Sequence, residues 1–124
     1  MKILIVDDDD TLRGFLANEL EARGYEVLHT HTGNRGLDLY KKNGPFAFVL
    51  SDYRFVPGKK IKDGVQLVTA IHEINPSQRM AIMTAVPNEA REKLPKALQN
   101  LPLLVKPFKV EQLVRLLREP VLPL

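Results

Sequence analysis

The sequence contains no cysteine, and aromatic residues make up only 6% of its 124 positions. The lack of cysteine excludes disulfides, thiolate zinc sites and cysteine nucleophiles, so covalent chemistry must use oxygen or nitrogen. Long hydrophobic runs are also missing, because the apolar stretch Ile3 to Val6 is followed at once by a block of acids. That stretch is too short for a signal peptide or a membrane span, and we expect a cytoplasmic protein that does not contact a membrane.

The chain carries no strong excess of charge of one sign, since its net charge is +3. The basic residues are scattered apart from a cluster at Lys59, Lys60 and Lys62, so we do not expect this chain alone to bind nucleic acid. That cluster is most simply a solvated loop, with a docking role as the alternative. The length fits one domain, which we assign to residues 1–119, followed by a short C-terminal tail at 120–124.

Short apolar runs alternate with helical patterns along the whole chain. The runs cover residues 3–6, 25–30, 46–50, 80–83 and 103–105. Because most of them show no alternation of polar and apolar residues, they are typical of strands that are covered on both faces. This pattern predicts an α/β fold with a parallel sheet and helices on both faces. A helix is also predicted over 88–100, where Pro95 must begin, kink or split it.

Polar residues that can carry chemistry follow four of these predicted strands. They are Asp7 and Asp8 after the first strand, Asp52 after the third, Thr84 after the fourth and Lys106 after the fifth. In a parallel sheet the carboxyl ends of the strands share one edge, and ligands bind in the crevice outside that edge. We therefore expect these five side chains to lie close together.

Three clustered carboxylates repel one another unless a proton or a cation lies among them. A site with oxygen ligands and no histidine or cysteine favours a hard ion, and Mg²⁺ is the usual choice where phosphate is also bound. Lys106 can pair with a carboxylate at rest and with a phosphoryl oxygen later, while the Thr84 hydroxyl can donate to the same group. Asp52 is the best-placed carboxylate to attack phosphorus and form an acyl phosphate.

The segments that carry these residues resemble the receiver domains of bacterial two-component response regulators. They are residues 3–8, 49–52, 63–64, 83–85 and 105–108. The resemblance implies a flavodoxin-like, doubly wound, five-stranded sheet in the order 2-1-3-4-5. It also implies that a histidine kinase or phosphotransfer protein phosphorylates Asp52. The chain would then be a switch with a partner-binding face, and its own chemistry would extend at most to self-catalysed phosphotransfer and slow self-dephosphorylation.

The resemblance also implies a set of metal ligands. Mg²⁺ would be held by Asp8, by Asp52 and by the main-chain carbonyl of Arg54, with Asp7 acting through water. No other cofactor is expected. Lys106 and Pro107 resemble a cis peptide of the family that aims the lysine inward.

The sequence departs from the family at several positions near this site. The loop 55–62 is longer than the family's usual spacing before Asp63 and Gly64. Arg54 and Val86 stand at positions that tune hydrolysis in the family. The cationic Arg54 side chain would hold the acyl phosphate longer or compete with Mg²⁺ at rest, and Val86 is apolar and cannot orient an attacking water. Both favour slow self-dephosphorylation. Leu103 stands where many receivers have an aromatic residue, which leaves the coupling of phosphorylation to output in question.

Three other functions remain as alternatives. A degenerate receiver would bind partners without phosphorylation, as the long loop and Leu103 would allow. The motif Asp7-x-Asp9-x-Thr11 resembles haloacid-dehalogenase phosphatases, although the further acidic pair of that family is absent. A flavodoxin-like cofactor binder would need a Ser, Thr and Gly-rich loop where this chain has acids. The sequence does not identify the kinase, the downstream protein or whether the chain forms a homodimer.

Overall fold

Strands and helices alternate strictly along residues 1–119, the part of the chain that the computed structural model describes. The strands are β1 (Lys2–Val6), β2 (Glu26–Thr30), β3 (Phe48–Asp52), β4 (Met80–Thr84) and β5 (Leu103–Val105). The helices are α1 (Asp10–Ala22), α2 (Gly33–Asn43), α3 (Gly64–Ile74), α4 (Pro87–Lys93) and α5 (Val110–Arg118), with a short 3-10 helix at Lys96–Leu98. The tail predicted at 120–124 lies outside the described residues.

The five strands form one parallel sheet in the order β2-β1-β3-β4-β5. This confirms the predicted fold and the order of its strands. Every residue of β3 and β4 is buried, which explains why these segments show no polar alternation in the sequence. Since β1 and β3 lie at the centre of the sheet, side chains at their carboxyl ends are surrounded by protein on several sides.

Helices cover both faces of the sheet, as predicted. One hydrophobic cluster contains Leu37 of α2, Leu67 and Ile71 of α3 and Ala90 of α4. The cluster on the other face contains side chains of α1 and α5, including Leu16 and the fully buried Leu113. Burial of apolar side chains on both faces therefore fixes the sheet in the middle of the domain.

Side chains at the helix starts hold the loops that surround the carboxyl edge of the sheet. Asp9 accepts a hydrogen bond from the Leu12 amide at 3.0 Å and caps α1. Thr32 caps α2, and Asp63 caps α3. Such caps satisfy amides that have no partner within the helix and so define where each helix begins.

Two elements differ from the sequence prediction by more than one residue. The third strand was expected at 46–50, but β3 begins at Phe48, because the Phe46 amide and carbonyl bond to the Gln78 side chain at 3.0 and 2.8 Å instead. β3 also ends two residues later than predicted, at Asp52, because Ser51 and Asp52 pair with Ile82 and Met83 of β4. The helix predicted over 88–100 is split, since α4 ends at Lys93 and Pro95 precedes the 3-10 helix.

The start of α3 approaches the main chain of β3 so closely that only glycine fits there. A Cβ atom at Gly64 would lie 2.1 Å from the Asp52 carbonyl oxygen. We expect Gly64→Ala to lower the free energy of unfolding by about 3 kcal/mol, because forced overpacking must move the backbone. The measurement is urea unfolding.

Gly14→Ala is the matched control, since a Cβ atom there would meet open space within α1. This change should raise stability slightly, because alanine favours the helix by about 0.5–1 kcal/mol over glycine. Equal stability of the Gly64→Ala variant and the wild type would contradict the close approach.

Candidate functional site

The carboxyl edge of the sheet brings together the side chains that the sequence singled out. Main-chain hydrogen bonds fix their positions. The Asp7 amide donates to the Thr30 carbonyl at 3.1 Å, and the Lys106 amide donates to the Thr84 carbonyl at 2.8 Å. These bonds extend the pairing of neighbouring strands past their ends, so the site is attached to the rigid part of the fold.

Three carboxylates form the centre of this site. Asp7, Asp8 and Asp52 each offer a carboxylate oxygen, and these oxygens lie within 4.8 Å of one another. Asp7 is fully buried and Asp52 is 7% exposed, whereas Asp8 is exposed. The predicted clustering of the three acids is therefore present, with two of them largely removed from solvent.

Lys106 is the cation that faces the buried acids. Its Nζ donates to Asp52 Oδ1 at 2.9 Å and lies 4.0 Å from Asp7 Oδ2. The peptide bond between Lys106 and Pro107 is cis, as the resemblance implies. This lysine offsets one negative charge of the cluster but not all three.

Asp7 shows the electrostatic cost of this arrangement. Burial raises its pKa to about 7; a hydrogen bond from the Asp9 amide opposes that shift, and the negative charge of Asp52 adds to it. Asp7 Oδ2 is buried and, among the described residues, has no hydrogen-bond partner. A buried carboxylate oxygen without a donor is costly unless a proton or a cation satisfies it.

The residues present fit a divalent cation. The cluster supplies oxygen ligands alone, which suits a hard ion such as Mg²⁺, and the buried Asp7 Oδ2 has no hydrogen-bond partner among residues 1–119. Among residues 1–119 the Arg54 carbonyl takes part in no main-chain hydrogen bond outside the regular elements, so it is free for the ligand role that the resemblance implies. Its coordination of a metal, like that of the three acids, stays a prediction.

Thr84 lies beside the acids at the end of β4. Its side chain is buried and lines a cavity of about 180 Å³ together with Asp52, Arg54, Val86 and Lys106. Thr84 Oγ1 accepts a hydrogen bond from the Val86 amide at 2.9 Å, so the hydroxyl proton remains available for another acceptor. The cavity can hold a small anionic group between this hydroxyl and the lysine.

The Arg54 side chain makes contacts that sequence reasoning did not find. Its guanidinium group, which is largely exposed, pairs with Glu89 of α4 and lies over the Tyr53 ring. The Tyr53 hydroxyl also donates to Glu89, at 2.8 Å. The hydrogen bond from Arg54, and to a smaller extent that from Tyr53, holds the pKa of the Glu89 carboxyl below its usual range. The segment after Asp52 is thereby linked to α4, although no sequence motif marks Glu89.

Further contacts of the acidic turn, made by the Arg13 side chain and by the Val56 amide, were also missed. Arg13 donates to the Asp7 carbonyl at 2.6 Å and to Asp10 at 2.6 Å, and its Nε donates to His29 Nδ1 at 3.1 Å. The Val56 amide donates to Asp8 Oδ2 at 3.1 Å. Helical spacing on α1 could have suggested the contact between Arg13 and Asp10, because residues 10 and 13 share a face. Nothing in the sequence suggests the contact between the Val56 amide and Asp8, which joins distant loops.

The three histidines differ in their exposure to solvent. His29 and His31 are exposed, whereas His72 is half-buried. Within the described residues no histidine belongs to the group of possible metal ligands. Lys59, Lys60 and Lys62 are exposed, and Lys62 Nζ donates to the Gly58 carbonyl at 2.7 Å. Among residues 1–119, no helix is long and apolar enough to cross a membrane.

Comparison with known proteins assigns the family. The model of the response regulator receiver domain matches residues 3–118. The response regulator receiver protein CpdR of Brucella abortus is 30% identical over 91% of this chain and 90% of its own. Sporulation initiation phosphotransferase F of Bacillus subtilis is 31% identical over 90% of this chain and 86% of its own.

A solved structure of the Vibrio cholerae chemotaxis protein CheY4 superposes with a TM-score of 0.78, at 27% identity over 94% of this chain and 95% of that one. This chain belongs to the response regulator receiver family. The family assignment confirms the resemblance, and it favours neither the haloacid-dehalogenase phosphatases nor the flavodoxin-like cofactor binders.

The raised pKa of Asp7 predicts how stability changes with pH. The folded metal-free protein holds this proton more tightly than the unfolded chain does, so the Asp7 contribution to stability falls as pH rises from about 4 to about 7. Asp7→Asn should therefore raise the free energy of unfolding at pH 8 by roughly 2–4 kcal/mol, since one pKa unit corresponds to about 1.4 kcal/mol. The gain should shrink towards pH 4.

Urea unfolding of both proteins at several pH values, in a chelating buffer, measures this difference. Asp38→Asn serves as the control, because Asp38 is exposed on α2. If Asp7→Asn instead lowered the free energy of unfolding at pH 8, the charged Asp7 carboxylate would not destabilise the folded protein, and the prediction would be wrong.

Proposed function

We propose that this chain is a phosphorylation-driven switch in which Asp52 accepts a phosphoryl group from a histidine kinase or phosphotransfer protein. The observation that carries the proposal is the cluster of three carboxylates with the Lys106 ammonium group 2.9 Å from Asp52, beside an open cavity. Membership of the receiver family supports the same reading. The proposal includes dependence on Mg²⁺, a cytoplasmic location and the role of a signalling protein rather than a turnover enzyme.

The proposed reaction moves a phosphoryl group from a partner phosphohistidine to Asp52. A carboxylate oxygen of Asp52 attacks phosphorus, the new P–O bond forms as the P–N bond breaks, and the electron pair of that bond leaves with the imidazole nitrogen. A Mg²⁺ ion held by the acidic cluster would supply charge neutralisation for the phosphoryl oxygens. The donor protein lies outside this chain.

Two side chains of the cavity are positioned to hold the product. Lys106 can exchange its bond with Asp52 for one with a phosphoryl oxygen, since the Asp52 carboxyl group loses its negative charge in the acyl phosphate. The Thr84 hydroxyl can donate to the same group. These new bonds would favour one arrangement of the segment between Thr84 and α4 over another, because a ligand shifts an equilibrium only through contacts that differ between its states.

Intact-mass analysis after treatment with acetyl phosphate and Mg²⁺ tests the site. We expect the wild type to gain the mass of one phosphoryl group, and we expect Asp52→Ala to gain none because the nucleophile is gone. Asp38→Ala is the matched control and should react like the wild type, since this acid is exposed on α2. A gain in both the wild type and Asp52→Ala would refute the assignment of the phosphoacceptor.

A receiver that binds partners without phosphorylation is the second candidate. The half-buried Leu103, which packs against the cluster formed with α2, α3 and α4, favours it because an aromatic residue often stands there in this family. The same mass measurement separates the two functions. An unmodified wild type, in the presence of Mg²⁺, would favour the second candidate.

Arg54 is expected to lengthen the life of the acyl phosphate. Its side chain lines the cavity with Asp52 and can move from Glu89 to a phosphoryl oxygen, where a planar guanidinium group donates two hydrogen bonds. We expect Arg54→Asn to shorten the lifetime of phosphorylated Asp52 several-fold. The decay of the phosphorylated mass after removal of the donor measures this lifetime.

Two variants control this experiment. Arg35→Asn removes an exposed arginine of α2 and should leave the lifetime unchanged. Glu89→Gln weakens the competing partner of Arg54 and should lengthen the lifetime. Equal lifetimes for Arg54→Asn and the wild type would remove Arg54 from the proposal.

A further inference from the structure

The segment Phe55–Lys62, here called the inserted loop, is folded against α2 instead of standing free in solvent. Phe55 and Ile61, near its two ends, are only 6% and 5% exposed. Both pack over Gly33, where a Cβ atom would lie 2.5 Å from Ile61 Cγ2 and 2.6 Å from Phe55 Cε1. The absence of a side chain at the first position of α2 therefore makes room for the loop.

A polar contact fixes the far end of the inserted loop. Asn34 Oδ1 accepts hydrogen bonds from the Ile61 amide at 2.9 Å and from the Lys60 amide at 3.3 Å. Within the loop, the Gly58 amide donates to the Ile61 carbonyl at 2.9 Å. One side chain of α2 thus satisfies two loop amides and holds the turn between them.

The near end of the inserted loop holds an acid of the candidate metal site. The Val56 amide donates to Asp8 Oδ2 at 3.1 Å, while the Val56 side chain is 68% exposed and adds little packing. Asp8 itself is exposed, so its side chain can adopt several rotamers unless a contact selects one. The loop amide supplies such a contact.

Asp8 differs in this respect from the other two acids. Asp7 and Asp52 are buried at strand ends, where Asp7 accepts a bond from the Asp9 amide and Asp52 accepts one from Lys106. Their positions follow from the sheet. The position of Asp8 depends on a loop, and that loop depends on α2.

We propose that the inserted loop, anchored on Gly33 and Asn34, is a positioning element for Asp8 and thereby sets the affinity of the acidic cluster for a divalent cation. The inference rests on the proposed metal-dependent function and assigns α2 a part in it. Partners that orient a metal ligand typically change metal affinity by about 10- to 100-fold when they are removed. Because Asn34 acts through the loop, we expect a smaller effect, about three- to tenfold.

A calorimetric titration of the metal-free protein with Mg²⁺ measures the affinity for the ion and tests the inference. Asn34→Ala removes the acceptor of both loop amides and should weaken Mg²⁺ binding. Asn34→Asp keeps an acceptor oxygen at that position and should bind Mg²⁺ with the affinity of the wild type. Asn18→Ala, on the exposed face of α1, is the matched control and should bind as the wild type does. Unchanged affinity in Asn34→Ala would overturn the inference.

Hydrogen exchange of the loop amides gives a second readout that needs no variant. If the loop favours metal binding, metal binding must favour the ordered loop by the same factor. Mg²⁺ should therefore slow exchange of the Val56, Lys60 and Ile61 amides in the wild type. Exchange that Mg²⁺ leaves unchanged, in a protein that does bind the ion, would overturn the inference but not the proposed function. No binding of Mg²⁺ to the wild type would instead remove the proposed function.

Discussion

Burial of two carboxylates side by side, with Lys106 as their cationic partner, is the constraint on which the rest of this site depends. Asp7 follows the central strand β1 and Asp52 is the last residue of β3, where both faces of the sheet are covered. Like charges in such a place repel strongly and are poorly solvated. The resting protein tolerates the two acids for two reasons. The pKa of Asp7 is raised to about 7, so this group keeps its proton below that pH, and Lys106 pairs with Asp52. The same excess of negative charge would favour a divalent cation, and that cation together with Lys106 would offset the charge of a phosphoryl group in the function proposed above.

The site has a rigid centre and an adjustable periphery. Asp7, Asp52, Thr84 and Lys106 lie at the ends of strands and share the hydrogen bonds of the sheet, so their mutual geometry follows from the fold. Asp8 and the Arg54 side chain lie outside that frame. Their orientations depend on the inserted loop and on α4, which are held by a few contacts each. Four of the five side chains that the sequence singled out are therefore fixed by the sheet, whereas Asp8 is held by a loop contact.

Contacts of Tyr53 and Arg54 join the segment after Asp52 to α4. Leu103 offers no hydroxyl or ring at the position where the family often has an aromatic residue. The hydroxyl of Tyr53, the residue directly after Asp52, instead donates a hydrogen bond to Glu89 of α4, and Arg54 pairs with the same carboxylate. The two residues that directly follow Asp52 in the chain therefore both contact α4. If phosphorylation of Asp52 biases two states of α4, as proposed, these contacts provide a route that does not involve residue 103.

The sequence by itself determined the alternation of strands and helices and the presence of five reactive side chains at one sheet edge. Both follow from local rules, because apolar runs define buried strands and parallel strands align their carboxyl ends. The family resemblance supplied the strand order. Only the tertiary structure decided that β3 begins at Phe48, since Gln78 satisfies the Phe46 main chain. It likewise decided the pairing of Arg54 with Glu89 and of Asp8 with Val56, because these contacts join residues 35 and 48 positions apart. Local patterns carry no information about such contacts, which form only when packing brings distant segments together.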